Sequence, residues 1–136
     1  MSARESRPES RWPLPPAWMW ACQECTDRYR VMKDTQEASE EYARQCGPGV
    51  DTDPLDSVVS SQIRLARHLA DAHGDHLPGW DPACSVCASH QKSIAREERE
   101  AERSEDGELR VAAMVRLGGE HRARHVFAPP SVVQVY

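Results

Sequence analysis

The chain has 136 residues, of which 39% are hydrophobic, 6% aromatic and 29% charged, and its formal net charge is −5. This length suits one domain, and small domains this polar usually gain stability from metals, disulfides or oligomers. The sequence offers no apolar run of membrane-spanning length and no apolar stretch typical of a signal peptide in residues 1–11. We therefore expect a cytoplasmic protein without a membrane partner, in which paired cysteines serve as metal ligands more often than as disulfides. The negative charge also disfavours a general nucleic-acid binder.

The first segment in chain order, residues 1–16, is rich in Pro, Ser, Arg and Glu, which predicts a disordered or extended tail. A zinc-binding helical domain is predicted to follow over residues 17–106. Its first helix is expected over residues 26–46. Thr26 is a suitable N-cap for that helix, and Gly47, together with the Pro and Gly that follow it, is expected to end it.

A second helix is predicted by the strongest local pattern in the chain, in which Asp53 acts as N-cap and Pro54 takes the first helical position. This helix should end at His73, where Gly74 supplies a left-handed cap. A third helix is expected over residues 88–105, where charged residues three and four apart are typical of a solvated surface helix.

The last segment, residues 107–136, has a different pattern. Apolar residues alternate with other residues up to Gly118-Gly119, which fits the two-residue turn of a β-hairpin, and the alternating residues are Leu109, Val111, Ala113, Val115 and Leu117. The sequence therefore predicts an α+β fold, a small zinc-stabilised domain of two or three helices with a C-terminal β-hairpin packed on it.

Three pairs of potential soft-metal ligands stand out, and they are Cys22-x2-Cys25, His68-x4-His73 and Cys84-x2-Cys87. A Cys-x2-Cys turn presents two thiolates to one metal ion, and a His pair near a helix end can complete a tetrahedral zinc site. Residues five apart lie about 140° apart around an ideal helix, so the two His converge only if the last turn is distorted.

Three divisions of these ligands remain open, besides the alternative that no metal binds and the Cys pairs are redox-active or buried thiols. The leading prediction is one zinc site made of Cys22, Cys25, His68 and His73. A competing site uses Cys84 and Cys87 with the first Cys pair, as in zinc ribbons. A third possibility is two metals, with the second site formed by the second Cys pair, His90 and a ligand such as His76. Taken singly, four His residues are interpreted as surface residues in preference to ligands, and they are His76, His90, His121 and His125.

The first two pairs also give the chain a resemblance. The matching residues are Trp20-Ala21-Cys22-x2-Cys25 and Arg67-His68-x4-His73. On these residues, the segment 20–74 resembles small zinc-finger-like proteins of actinobacteria. In those proteins a Cys-x2-Cys turn leads a helix, and an Arg-rich helix ends in a His pair. The chain's 15 Arg, two Lys and no Asn also fit a GC-rich genome. The resemblance implies zinc binding and carries no known activity.

Enzymatic readings find little support in the motifs. Leu69 follows His68 where a zinc protease has its Glu, and no His-x-Glu precedes the second Cys pair as a deaminase requires. A metal-dependent nuclease based on Asp75-His76 lacks the central Asn, and no strand precedes the first Cys pair as in a dithiol redox enzyme.

A metal with four protein ligands has no open position for substrate, so we expect a structural zinc ion and a protein that is not an enzyme. The favoured function is a zinc-stabilised binding protein, either regulatory or a protein-interaction module whose partner is another protein. An exposed apolar patch is expected for such a partner, near Trp12, Trp18 or residues 132–136. The alternative is a DNA-binding transcriptional regulator that uses Arg64 and Arg67 together with the Arg residues of the hairpin, Arg110, Arg116, Arg122 and Arg124.

Overall fold

A computed structural model describes residues 11–134, and within this range the chain forms helices and no β-strand. Of these helices, none is both long enough and apolar enough to cross a membrane. Short 3₁₀ turns cover Gly74–His76 and Ala101–Arg103. The α-helices are α1 (Ala17–Trp20), α2 (Gln23–Cys46), α3 (Ser57–Ala72), α4 (Ser85–Glu100), α5 (Gly107–Phe127) and α6 (Pro130–Val133).

Helix α2 begins one turn earlier than the sequence pattern predicts. Its N-cap is Cys22, whose sulfur accepts a hydrogen bond from the backbone N–H of Cys25 at 3.4 Å, as a capping side chain does. Thr26 lies inside the helix and donates its hydroxyl to the Cys22 carbonyl. The helix ends at the predicted place, because Gly47 takes a φ of 76° that favours glycine.

Helix α3 is capped by the predicted residue, although its first turn starts at Ser57. The Asp53 carboxylate accepts backbone hydrogen bonds from Ser57 and Val58 at 2.8 and 2.9 Å. These bonds satisfy donors that the start of a helix would otherwise leave unpaired. Asp53 therefore supplies capping hydrogen bonds as predicted, but the N-cap position is Asp56 and Pro54 precedes the helix, so the predicted start of this helix is wrong.

The predicted C-terminal β-hairpin is wrong, and with it the α+β fold class, because residues 107–127 form the continuous helix α5. The two adjacent glycines are packing positions in that helix. A Cβ at Gly118 would lie 2.7 Å from the ring of Trp80, and one at Gly119 would lie 3.7 Å from Ala70. The alternating apolar residues face no sheet, since Leu109 remains 75% exposed. The glycines let α5 lie close to α4 on one side and to α3 on the other.

Two antiparallel helix pairs make up the molecule. The first hairpin is α2 with α3, the second hairpin is α4 with α5, and α3 packs against α5 to join them. The contacts between α3 and α5 therefore join residues on both sides of residue 106, where the sequence predicted a boundary between the helical domain and the hairpin. The buried core lies where α1, α2, α3, α5 and α6 meet, and it comprises Met19, Cys25, Met32, Leu65, Ala66, Leu69, Ala123, Phe127, Ala128 and Val133.

The N-terminal tryptophans cover this core. Trp12 and Trp18 are half-buried against it, and the Lys33 ammonium lies 4.8 Å from the centre of the Trp12 ring. Val133 is 1% exposed. Where the structure describes it, the apolar patch predicted around these residues is therefore partly or fully covered. Residues 1–10 of the predicted tail, together with 135 and 136, lie outside the described residues.

Candidate metal centres

Two clusters of potential metal ligands lie at the corresponding ends of the two hairpins. Within each cluster, every residue places one ligand atom within 4.8 Å of the others. Each cluster joins two Cys at the start of one helix to two His at the end of its antiparallel partner. The first comprises Cys22, Cys25, His68 and His73, and the second comprises Cys84, Cys87, His121 and His125.

The two Cys turns are built alike. Cys22 and Cys84 are the N-caps of α2 and α4, both in extended backbone conformation. Each of these sulfurs accepts a hydrogen bond at 3.4 Å from the N–H of the second Cys in its pair, Cys25 or Cys87. A Cys-x2-Cys sequence at a helix start therefore ties the first sulfur to the backbone of the second Cys.

In the first cluster, the spacing problem of the His pair is solved at the helix end. His68 lies on α3, whereas His73 is its C-cap and has left the helical conformation, with φ −131° and ψ 31°. The imidazole rings are 5.3 Å apart and nearly perpendicular. His68 Nε2 lies 3.5 Å from Cys22 Sγ. The distorted last turn brings together two residues that an ideal helix would separate.

The second cluster uses an ordinary helical spacing. His121 and His125 are four residues apart on α5 and therefore share one face of the helix. His121 Nε2 lies 3.4 Å from Cys84 Sγ, and His125 Nε2 lies 3.3 Å from Cys87 Sγ. The two Nε2 atoms are 3.2 Å apart.

These separations would suit four ligands of one tetrahedral metal ion, for which zinc gives the reference distances. With sulfur at about 2.3 Å and nitrogen at about 2.0 Å from a common centre, tetrahedral angles place ligand atoms about 3.3–3.8 Å apart. The measured Sγ–Nε2 distances of 3.3, 3.4 and 3.5 Å agree. His73 Nε2 is buried without a hydrogen-bond partner, which leaves its lone pair available to a metal.

Burial shapes the protonation of the ligands. It is the largest cause that raises the pKa of Cys25 to about 12, followed by the hydrogen bond and charge of Cys22. Burial also raises the pKa of Cys87. It lowers the pKa of His68 and His125, which favours the neutral imidazole that can donate a lone pair. Burial makes it costly for these thiols to ionise without a partner. A cation bound at the cluster would offset that cost and hold them as thiolates.

A carboxylate supports the first cluster from outside. Nδ1 of His68 lies 3.3 Å from Glu24 Oε2, on the side of the ring opposite the ligand atom Nε2. Carboxylates in this position fix the tautomer and orientation of metal-binding histidines. Glu24 also accepts two hydrogen bonds from Arg28, which, as the largest cause, hold the pKa of that carboxyl below its usual range.

A Trp precedes the Cys pair of each cluster. Trp18 and Trp80 each lie four residues before the first Cys of their pair. Trp18 stacks on His76, with centroids 5.2 Å apart, and also contacts His73. Trp80 stacks on His90 at 6.3 Å. The two hairpins therefore share the position of a Trp before the Cys pair, whereas the His stacked on that Trp follows α3 in the first hairpin and lies on α4 in the second.

The predicted ligands fall into two separate groups in the structure. Cys22, Cys25, His68 and His73 come together, whereas the second Cys pair lies in the other cluster, so the proposed all-cysteine set does not form. His90 and His76 belong to neither cluster among the described residues. Instead they stack beside the ligands, with the His90 ring 5.1 Å from that of His121.

Sequence reasoning missed two members of the second cluster, His121 and His125. His121 is 3% exposed, which contradicts its assignment to the surface. A signal was present, because His-x3-His is a regular one-face spacing on a helix and follows a Cys-x2-Cys pair. Reading Gly118-Gly119 as a turn placed these residues on a strand and concealed that spacing.

Comparison with known protein families, curated proteins and solved structures finds no match to this chain. The resemblance to actinobacterial zinc-finger-like proteins therefore depends on the spacing of the ligand pairs alone. What the structure adds is that two such Cys₂His₂ clusters are present and that each could hold a metal ion.

Proposed function

We propose that the protein binds two zinc ions, one in each Cys₂His₂ cluster, and that they hold the two hairpins in shape. The donor set supports zinc, because two thiolates with two imidazoles in a tetrahedral arrangement are typical of structural zinc sites. The unpartnered Nε2 of His73 and the carboxylate behind His68 support metal binding at the first cluster.

The role that we propose for the metals is structural, and the protein is a binding module, not an enzyme. The observation that carries this proposal is that each cluster offers four protein ligands, which would fill a tetrahedral zinc ion and leave no position for water or substrate. A cavity of about 310 Å³ does adjoin the second cluster. The wall of this cavity includes the apolar side chains of Ile63 and Leu117. Two charged residues in the wall, Arg67 and Glu120, form an ion pair with each other at 3.1 Å.

For the partner we propose another protein, in a regulatory or scaffolding interaction. The charge distribution supports this choice over DNA. Arg67 and Arg116 both lie against the same carboxylate, Glu120, at 3.1 and 3.7 Å, so two of the arginines on which DNA binding would depend are already partly neutralised. The overall charge of −5 adds to this argument.

Elemental analysis of the purified protein tests the metal sites. We expect two zinc ions per chain, one in Cys25→Ser, one in Cys87→Ser and two in Cys46→Ser, because Cys46 lies outside both clusters. Chelation should abolish the helical circular dichroism, and added zinc should restore it, because the free energy of binding structural zinc is part of the free energy of folding. A folded protein that contains no metal would overturn the proposal.

The choice of partner class has its own test. Fluorescence anisotropy with random-sequence duplex DNA, at low and at physiological salt, should show no binding at the higher salt. Binding that persists there and weakens in an Arg64→Gln variant would instead favour the DNA-binding alternative.

A further inference from the structure

The end of the first hairpin that lies away from its metal cluster is open. Three adjoining cavities of about 510, 230 and 150 Å³ run between α2 and α3. The first two share Thr35 and Ser57, and the last two share Val31, Ser61 and Arg64. Together they form one groove, which we call the open groove.

Helix α2 forms one wall of the open groove and is longer than α3. Its 24 residues span about 36 Å, whereas the 16 residues of α3 span about 24 Å. Beyond Met32 no residue of α2 is buried. Val31, Thr35, Ala38 and Tyr42 lie at spacings of four, three and four residues, so they share one face of this helix along the groove.

Large apolar side chains are exposed beside the groove. Val31 is 54% exposed, Tyr42 48% and Leu55 83%. Val31 and Leu55 both line the middle cavity, with serine hydroxyls around them. An aliphatic side chain placed there would cover apolar surface that no described part of this chain covers.

The charge is negative at the outer end of the groove, while Arg64 lines the middle and inner cavities. Residues 34–56 contain seven acidic side chains and one Arg, whereas the rest of the chain is close to neutral because the total is −5. Asp34 and Asp53 line the outer cavity itself. The C-terminal end of the α2 dipole, at Cys46, adds negative potential there. This end of the molecule is complementary to a cationic partner.

We propose that the open groove binds a short cationic, amphipathic segment of another protein. An aliphatic side chain of that segment would sit between Val31 and Leu55, and Lys or Arg side chains would lie over Asp34 and Asp53. A helix laid along α2, with apolar anchors at three- and four-residue spacing, fits the stripe on this wall. The inference rests on the proposed role as a protein-interaction module and names its surface and the chemistry of its partner.

The probe is a short synthetic peptide of Leu and Lys at helical spacing, with a matched peptide in which every Lys is replaced by Glu. Binding to zinc-loaded, ¹⁵N-labelled protein is followed by two-dimensional NMR and by anisotropy of labelled peptide. We expect the Lys peptide to shift resonances of the groove residues, with an affinity that falls as salt rises. The Glu peptide should not bind.

Variants test whether binding occurs in the groove. Leu55→Ser should weaken binding about tenfold and Asp34→Asn about threefold, in line with the loss of an apolar anchor and of one exposed charge. Matched controls are Leu109→Ser, which removes an apolar side chain 75% exposed on α5, and Glu98→Gln, which removes an exposed charge on α4. Both controls should bind like the wild type.

Several outcomes would overturn the inference. These are no binding of the Lys peptide, equal binding of the Glu peptide, equal losses in the control variants, or shifts centred on the second hairpin. Groove resonances that move with protein concentration alone would assign the groove to a second copy of the chain and also overturn it. Zinc content is measured on every sample, so a zinc-loaded protein that ignores the peptide refutes only this inference, whereas a folded, metal-free protein refutes the proposed function.

Discussion

The two hairpins have the same set of Cys and His donors at one end, but their other ends differ, because one is closed and one is open. In the second hairpin, α4 passes through a 3₁₀ turn into α5, and Gly107 lies against the backbone of Ala101, where a Cβ would be 2.7 Å from the carbonyl carbon. In the first hairpin, a ten-residue connection leaves the open groove between α2 and α3. The end of each hairpin that carries the Cys and His cluster is therefore alike in both, whereas the end that carries the connection between the two helices differs. A feature found on only one hairpin is therefore a better candidate for function than one found on both.

The hairpins also differ in how they join the core. Among the described residues, α4 contributes nothing to the main buried core, whereas α2 contributes Cys25 and Met32. Helix α4 is held by its contacts with α5, by Trp80 and by the second cluster. The two proposed metals should therefore stabilise different amounts of structure.

The largest expected effect follows from this difference. Cys87→Ser should lose one zinc and release α4, while residues of the main core keep their amide protection in hydrogen-exchange experiments. Cys25→Ser should lose one zinc and also lose protection throughout the core, because this side chain is fully buried within it. Equal loss of protection in both variants would show that the hairpins are equivalent in stability.

The closed end of the second hairpin can be tested with a glycine pair. Gly107→Ala should lower the free energy of unfolding by about 1–3 kcal/mol, because the added methyl group meets backbone that cannot move aside. At Gly79 an added Cβ would contact nothing within 4 Å, so Gly79→Ala serves as the control. Urea denaturation of both variants, at saturating zinc, gives the comparison. Equal stabilities would mean that the second hairpin is no more tightly closed than the first.

A second glycine pair measures the packing of α5 between its neighbours. Gly118→Ala should cost about 1–2 kcal/mol, because its Cβ would approach Trp80 and lie 3.3 Å from Ile94. Gly119→Ala should be neutral or stabilise by up to about 1 kcal/mol, since its contact with Ala70 is ordinary and alanine favours helix. Thermal unfolding of the two variants shows the difference. The reverse order would place the tight contact on the α3 side.

These glycines also explain why one part of the fold could be predicted from the sequence and another could not. The first cluster was predicted because its ligands flank helices with clear caps, Asp53 for α3 and Gly47 after α2. The helix α5 was missed because its first half is exposed, so its apolar residues carry no helical period, and its glycines reflect contacts with Trp80 and Ala70 that are distant in sequence. The antiparallel pairing of the helices determines which Cys pair meets which His pair. That pairing depends on the same distant contacts, so the grouping of the ligands could not be predicted from their spacing alone.

The smallest effect that we predict concerns a ligand-supporting carboxylate of the first hairpin that has no equivalent at the same position of the second. Glu24 faces Nδ1 of His68, and the residue at the same place in the second Cys turn is Val86. Glu24→Gln should weaken zinc binding at the first cluster by about tenfold, at the low end for such supporting groups because the amide oxygen can still accept a hydrogen bond. Competition with a chromophoric chelator, which resolves the two sites, measures this change. Val86→Ala should leave the affinity of the second cluster unaltered.

Arg28 provides the control for the Glu24 substitution. Arg28→Gln removes the pair that this guanidinium makes with Glu24 at 2.8 Å, but keeps the carboxylate that faces His68. If the carboxylate acts through the imidazole, Arg28→Gln should leave zinc affinity nearly unchanged while Glu24→Gln weakens it. Equal losses in the two variants would instead show that the ion pair stabilises α2, and that the first cluster is supported no differently from the second.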